Sequence, residues 1–401
     1  MNIKLFPALV QAVHFALRRI FSEGAYADKV VPELLRQHPR WGARDRQFVA
    51  ETTYDIVRWW RKYWFMLGED ANLNAPALQD IIALSLLQRG YSILNPDLLG
   101  VADIGVLQKK LYTPCPNIAI AESVPQWLYD RFLLEYNDAK LVARLLGALN
   151  ELPLVYLRVN TLRTTVEKTV KQFEKEQIAT ERVADASAAL LLSTRKNLLK
   201  NDLYLNGHVE FQDIGSQMIG EFCKVKKGMT VVDVCAGAGG KTIHLAALMQ
   251  NKGTIYAADK NTHRMAQLYK RAERAGVDIL KIKTLEDLDG MPNKADVVLI
   301  DAPCSGLGVL RRSPDTKWKL KEAFVNELVE TQIEILRRHQ SLPKVGGCIV
   351  YATCSVLFSE SEYQVRDFLA EQPNFVLEDE QRMQPYDGFD GFYMARLRRM
   401  R

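Results

Sequence analysis

Asp301-Ala302-Pro303-Cys304 and Thr353-Cys354-Ser355 each follow a short apolar run, Val297-Val298-Leu299-Ile300 and Cys348-Ile349-Val350-Tyr351, and each carries a cysteine just past it. Runs so short, continuous and rich in β-branched residues read as buried parallel strands. In open parallel sheets, ligands bind beyond the carboxyl ends of the strands. Two thiols brought to that edge suggest paired thiol chemistry, with the acid Asp301 beside them. The competing reading is two more core cysteines, because a free Cys packs as a small hydrophobe; the shared position at strand ends weighs against it. Cys348 lies inside its strand and reads as core, and Cys115 and Cys223 have no chemical company.

A second pattern lies upstream. Val231-Val232-Asp233-Val234 runs into Cys235-Ala236-Gly237-Ala238-Gly239-Gly240-Lys241-Thr242, a strand, a glycine-rich turn and a helix start that let backbone approach a ligand. A phosphate-cradling P-loop needs glycine where Cys235 stands, and a dinucleotide fingerprint needs Gly or Ala where Thr242 stands. What remains is a pocket for an adenosine ligand without pyrophosphate. Asp259, twenty residues after Gly239 at the end of the next strand, can accept both ribose hydroxyls. S-adenosylmethionine matches that description. The turn alone suits helix-on-strand packing equally well; Asp259 and Asp301 favour the ligand.

The elements that must position these residues alternate: strand 230–235, helix 241–249, strand 253–258, helix 261–275, strands 279–284 and 296–300, helix 320–341, strand 347–352, helix 360–371. This alternation predicts a doubly wound α/β sheet. Ser359 with Glu362 reads as a capping box on the last helix. Phe375-Val376-Leu377 and Gly391-Phe392-Tyr393-Met394-Ala395 stand too close for a helical crossover and predict an antiparallel hairpin at the sheet edge.

Upstream of this, residues 7 to 95 show helical apolar spacing (Leu9, Val13, Leu17, Ile20; Val49, Ile56, Trp60, Tyr63, Leu67), and turn formers at 112–117 mark a boundary. The middle region mixes helices at 125–136 and 139–149 with strand-like 155–159 and 188–192. The domains expected are therefore 1–118, 119–215 and 216–401.

The chain has 401 residues, 48% of them hydrophobic, and a net charge of +5. That length suits two or three domains. Its six cysteines form no C-x-x-C pair, which speaks against a zinc ribbon or disulfide framework and for a reducing cytoplasm. No apolar run approaches the ~20 residues of a membrane span. No metal-ligand cluster stands out, and a monomer is expected. Residues 36–62 hold seven basic side chains, Arg44 and Arg46 among them, against three acidic ones, with Trp41, Trp59 and Trp60 interleaved. The mixture suits phosphate contacts with base stacking, or equally an amphipathic helix with a wet basic face. Arg311 and Arg312 are further candidates for RNA phosphate.

Taken together, D-x-C-A-x-x-G-G-K-T, Asp259 with Arg264 after it, D-A-P-C-S-G-x-G and T-C-S resemble the RsmB/NSUN family of RNA cytosine-5 methyltransferases. The resemblance extends to Arg44-Asp45-Arg46, Arg158-Val159-Asn160, Phe211-Gln212-Asp213 with Ser216-Gln217, and Asp390-Gly391-Phe392. It implies a NusB-like helical RNA-binding domain, a small RRM-like domain and a class I, Rossmann-like methyltransferase domain. It implies S-adenosylmethionine as cofactor, and an RNA substrate: ribosomal RNA first, transfer RNA second. By position, Cys354 matches the family nucleophile and Cys304 the cysteine associated with product release, while Asp301 and Lys241 match residues lining the target base and the methionine end of the cofactor.

Chemistry agrees with those roles. Carbon 5 of cytosine is a poor nucleophile until a thiolate adds at carbon 6. Asp301 can hydrogen-bond the N3/N4 edge of the base, and Lys241 can favour a thiolate electrostatically. The sequence departs from the family in two places: Ala238 stands where proline is usual, and both Glu286 and Asp287 follow the third strand, so either can serve the adenine side of the cofactor. The rival readings are a noncatalytic RNA-binding assembly factor and a methyltransferase acting on nitrogen.

Overall fold

The structure is a computed structural model and describes residues 2–99, 103–184, 186–194 and 196–401. The chain divides into two units, Met1–Glu151 with Leu310–Glu322, and Leu152–Val309 with Ala323–Arg401. The sequence boundary at 118 falls inside the first unit.

The first unit is helical: α1 (Pro7–Phe21), α2 (Ala27–Gln37), α3 (Ala43–Leu67), α4 (Ala75–Gln88), α5 (Ile104–Lys110), α6 (Gln126–Tyr136) and α7 (Ala139–Leu149). The residues whose spacing predicts helices are those buried: Leu9, Val13, Leu17 and Ile20 from α1, and Val49, Ile56, Trp60, Tyr63 and Leu67 from α3, form one core with α4. Each such side chain contributes roughly 1.5–3 kcal/mol when fully buried. Residues 310–322 join this unit through polar ties. The Trp318 indole N–H donates to the Val57 carbonyl at 2.7 Å, and Asp315 accepts from the Ala27 N–H at 3.0 Å.

The second unit contains two sheets. In the smaller, β1 (Tyr156–Val159), β2 (Thr180–Arg182), β3 (Ala189–Leu192) and β4 (Val209–Phe211) run antiparallel in the order β2-β3-β1-β4, with α8 (Val166–Lys175) between β1 and β2. This β-α-β-β-α-β arrangement, completed by the short helix Asp202–Leu205, is the ferredoxin-like pattern to which RRM domains conform. Asn160 ties β1 to the larger layer, its amide donating to the carbonyls of Gly207 and Ala275 at 2.8 Å each.

The larger sheet follows α9 (Ile214–Phe222). Its elements are β5 (Thr230–Asp233), α10 (Gly240–Leu248), β6 (Thr254–Ala257), α11 (Thr262–Ala275), β7 (Leu280–Ile282), α12 (Leu285–Asp289), β8 (Ala295–Asp301), α13 (Glu322–His339), β9 (Pro343–Thr353), α14 (Glu362–Glu371), β10 (Phe375–Met383) and β11 (Phe392–Arg399). The strand order is β10-β11-β9-β8-β5-β6-β7, and only β11 runs against the rest, antiparallel to both of its neighbours β9 and β10. The expected hairpin therefore sits at one edge, with β11 paired to β9 and β10 outermost. Strand order reverses between β5 and β8, so the carboxyl ends of those two strands flank a crevice.

Two local expectations need correction. The sequence reading ran from strand 279–284 directly to strand 296–300, whereas a short helix, α12, intervenes, as a parallel crossover requires. The capping box on Ser359 does not form. Residues Phe358–Glu360 make a separate 3-10 turn, α14 starts at Glu362, and the Glu362 carboxylate pairs with Arg382 instead of folding back.

Candidate active site

The glycine-rich turn leaves β5 at Asp233. The Ala236 N–H donates to the Ala258 carbonyl at 3.0 Å, which holds the turn against the next strand's end. Gly239 has φ +85°, and a Cβ there would lie 2.0 Å from the Leu268 side chain on α11, so only glycine lets helix and turn approach this closely. Its carbonyl accepts the Ile243 N–H at 2.9 Å and opens α10. Asp259 accepts from the Gly237 N–H at 2.8 Å and from the Asn261 N–H at 2.7 Å, so this acid faces the turn as the sequence places it. Arg271 donates to the Ala238 carbonyl at 2.8 Å. Gly240 and Lys241 form the first turn of α10, where unpaired N–H groups favour negative charge. Arg264 is exposed in the first turn of α11. Asp287 is committed to a true capping box with Thr284, at 3.1 Å in both directions; Glu286 beside it is not part of that box, and both acids are exposed. Burial and the neighbouring acids Asp233, Asp301 and Asp259 push the Cys235 thiol far up, so it is not a nucleophile.

The two predicted cysteines meet. Cys304 Sγ and Cys354 Sγ lie 3.4 Å apart, beyond the ends of the paired strands β8 and β9, which are in register as Asp301 opposite Ala352. The hydrogen bond to Cys354, then burial, then the charges of Cys354 and Glu360 push the Cys304 thiol well up, which favours its protonated form. Lys241 donates to Asp301 at 2.6 Å. Burial works against the Lys241 ammonium, but the attraction and hydrogen bond of Asp301, then Cys354 and Asp233, outweigh it and raise its pKa. The result is one protonated thiol, one thiol within the field of a lysine that keeps its charge, and a carboxylate beside both. Such a group can deliver a sulfur nucleophile and later release it.

Backbone contacts fix this edge. The Gly308 N–H donates to the Cys354 carbonyl at 3.0 Å, and the Gly391 N–H donates to the Gly308 carbonyl at 2.8 Å. Gly391, from the Asp390-Gly391-Phe392 motif, thus braces the loop that follows Cys304.

The basic residues divide. Arg44 is exposed at the start of α3 and lines a cavity of about 510 Å³ with Lys4, Phe48, Arg89 and Tyr91. Arg46 is half-buried and donates to the carbonyls of Trp41 and His38 at 3.0 and 3.1 Å, closing the turn before α3. Arg311 is a correction: it is buried, and its guanidinium donates to the Ala148 carbonyl and to Glu151 at 2.7 Å each, so it braces the helical unit and is not available to a phosphate. Arg312 is half-buried. Within residues 36–62, Trp60 lies on the buried face, stacked on Phe21, as the amphipathic reading has it, whereas Arg58 fits neither a wet basic face nor a phosphate contact: it is buried with its guanidinium on the Arg311 carbonyl.

Two acids of the site escaped the sequence reading. Asp233, at the end of β5, is buried and accepts from the Thr242 hydroxyl at 2.7 Å; burial pushes its carboxyl up to about 7, with Asp301 adding to the effect. The D-x-C-A motif carried it, but only as a strand residue. Glu360 is fully buried behind the two cysteine turns, and in sequence it stands between Ser359 and Glu362, whose spacing reads as a helix cap.

The seven-stranded sheet, with its reversed strand pair and its turn at the β5–α10 junction, is the class I methyltransferase fold. A family model for the 16S rRNA methyltransferase RsmB/F matches residues 222–398, and one for the ferredoxin-like domain of RsmF/B-like methyltransferases matches residues 124–198. A "probable ribosomal RNA small subunit methyltransferase B" of Synechocystis is 27% identical, over 91% of this chain and 90% of its own. Its namesake in Bacillus subtilis is 30% identical, over 71% and 68%. The crystal structure of NSun6 from Pyrococcus horikoshii with SFG aligns over 70% of this chain and 99% of its own, with a TM-score of 0.64 and 20% identity. The chain belongs to the RsmB/F family of rRNA methyltransferases. Among the described residues no helix is long and apolar enough to cross a membrane, and no group of three or more His, Cys, Asp and Glu could hold a metal ion.

Proposed function

We propose that the protein methylates carbon 5 of a cytosine in small-subunit ribosomal RNA, using S-adenosylmethionine and a covalent bond between Cys354 and carbon 6. The observation that carries this reading is the 3.4 Å contact between two thiols at adjacent strand ends, beside the Lys241–Asp301 pair. An enzyme methylating nitrogen has no use for such a pair.

The residues of the turn fit the cofactor. Asp259 offers a carboxylate to ribose hydroxyls at the mouth of the turn, the backbone from Cys235 to Gly240 borders it, Arg264 lies beyond Asp259, and Glu286 stands on the adenine side. S-adenosylmethionine, when bound, supplies an electrophilic methyl group. The protein's own residues do the rest. Cys354, as thiolate within the field of Lys241, adds to carbon 6 and moves an electron pair towards carbon 5. Asp301 accepts a hydrogen bond from the base edge and holds it in plane. After methyl transfer a base takes the carbon-5 proton, the electron pair of that C–H bond re-forms the carbon 5–carbon 6 double bond, and the carbon 6–sulfur bond breaks to expel Cys354 as thiolate. Cys304, which retains its proton, donates to that departing sulfur and lowers the cost of its charge. The base must be unpaired or flipped, because carbon 6 is unreachable within a stack.

The three-part division 1–118, 119–215 and 216–401 is proposed as RNA-binding helical domain, RRM-like domain and catalytic domain, with Arg44 as the phosphate contact of the first and Arg312 as a second candidate.

The test incubates wild-type, Cys354→Ala and Cys304→Ala proteins with labelled S-adenosylmethionine and small-subunit RNA, followed by nucleoside mass spectrometry. The expected result is labelled 5-methylcytosine from wild type only, with a covalent protein–RNA adduct accumulating in Cys304→Ala. Label on a nitrogen, or turnover by Cys354→Ala, refutes the reading. No label on naked RNA or on assembling particles favours an assembly factor.

A further inference from the structure

The two cysteine loops are copies of one another. Cys304-Ser305-Gly306-Leu307 follows β8 and Cys354-Ser355-Val356-Leu357 follows β9, and in each the serine hydroxyl oxygen accepts the N–H of the leucine two residues on, at 3.4 and 3.1 Å. These are hydroxyl-closed turns of the kind Ser and Thr form locally. Both hydroxyls then donate to one oxygen of the same carboxylate, Glu360 Oε2, each at 2.5 Å. The other oxygen accepts the Ser305 N–H at 2.8 Å and the Gln332 amide at 3.1 Å. Gln332 also reaches the Pro303 carbonyl at 2.9 Å, and the Glu360 carbonyl accepts the Tyr351 hydroxyl at 2.8 Å, so the carboxylate is itself held from both sides.

Glu360 is 0% exposed, and among the described residues no ammonium or guanidinium pairs with it. Burying a carboxylate without a counter-charge costs several kcal/mol unless its lone pairs are filled. Here four donors fill them, and they come from three places: the Cys304 turn, the Cys354 turn and α13. A glutamine cannot replace this fan. Whichever way its amide turns, N–H groups meet donors: on one side they leave the two serine hydroxyl protons without an acceptor, and on the other they oppose the Ser305 N–H and the Gln332 amide.

We propose that Glu360 is a positioning residue for both cysteines: one buried carboxylate ties the Cys304 turn to the Cys354 turn and thereby sets the sulfur–sulfur contact. The inference rests on the proposed reaction only in giving that contact a purpose; the contact can be read without turnover. Its negative charge also helps hold the proton on Cys304, behind the larger effects of Cys354 and burial.

The experiment measures how far the two thiols feel one another. The pH profile of Cys304 alkylation by iodoacetamide, followed by peptide mass spectrometry, is recorded with and without Cys354→Ala, in wild-type, Glu360→Gln, Ser355→Ala and Ser305→Ala backgrounds. In the wild-type background, removing Cys354 should shift the Cys304 profile to lower pH by about one unit or more, because its hydrogen bond and charge are lost. In Glu360→Gln and Ser355→Ala that shift should fall to less than half, although Ser355 lies on the opposite turn from Cys304. A residue that merely stabilised the fold would lower the melting temperature and leave the shift intact. Overturning results are a shift of wild-type size in the folded Glu360→Gln and Ser355→Ala proteins, or no shift in the wild-type background. If Glu360→Gln does not fold, the two serine variants decide by the same readout. Failure of the reaction reading is distinguishable, because it appears as a wrong methylated nucleoside while this thiol coupling persists.

Discussion

Gly308→Ala tests the claim that backbone packing, not only side chains, holds the thiols. A Cβ at Gly308 would meet the Gly391 carbonyl oxygen at 2.0 Å, its carbon at 2.7 Å and the Cys354 carbonyl oxygen at 2.8 Å. All three are backbone atoms, so no rotamer change relieves them, and ordinary contact requires separations to grow by more than ~1 Å at the closest point. Overpacking of this kind costs about 1–3 kcal/mol, and the rigid neighbours put the expectation near the top of that range. For a unit of this size each kcal/mol lowers the melting temperature by about 2–4 °C, which predicts a fall of roughly 4–12 °C by scanning calorimetry or circular dichroism. Because Gly308 bonds to the Cys354 carbonyl, the displacement reaches the thiol, and a misplacement of ~1 Å can cost about 100-fold in rate. Gly290→Ala is the control: its added Cβ meets nothing closer than 3.5 Å and should change neither quantity. A Gly308→Ala protein with wild-type melting and methyl transfer would refute the argument.

Asp233 has a carboxyl raised to about 7 in the folded state; the native protein therefore keeps a proton that the unfolded chain loses near pH 4, stability falls between about pH 4 and 7 by up to roughly 4 kcal/mol, and Asp233→Asn should flatten that slope in pH-dependent denaturation. Lys241→Met removes the cation beside Asp301 and should slow Cys354 alkylation near neutral pH by about tenfold, while an unchanged rate would strip Lys241 of its electrostatic role. Arg44→Glu should weaken RNA binding and reduce the log–log salt slope by about 1. Arg311→Ala, by contrast, should lower the melting temperature of the helical unit and leave that slope as it is, because its guanidinium is spent on Ala148 and Glu151.

What could be read in the sequence and what could not separates along a physical line. Strands β8 and β9, their cysteines, the glycine turn and Asp259 were legible because each depends on local chemistry: an apolar run, a turn residue, an acid at a strand end. The helical unit was legible for the same reason, since period alone tells which face of α1 or α3 is buried. Arg311 and Glu360 were not legible, because their roles depend on partners about 160 and 55 residues away, and a charged side chain looks the same in sequence whether it meets solvent, a phosphate or a buried carbonyl. Ser359 and Glu362 show the converse error. Their spacing satisfies the capping-box rule, but Arg382 on β10 offers Glu362 a full charge at 2.6 Å, a stronger partner than one backbone N–H. The repeated Cys-Ser-x-Leu could have been noticed as a repeat, yet nothing local says that its two serines converge. That convergence is created by the parallel register of β8 on β9, and so the device that aligns the thiols becomes visible only once the sheet exists.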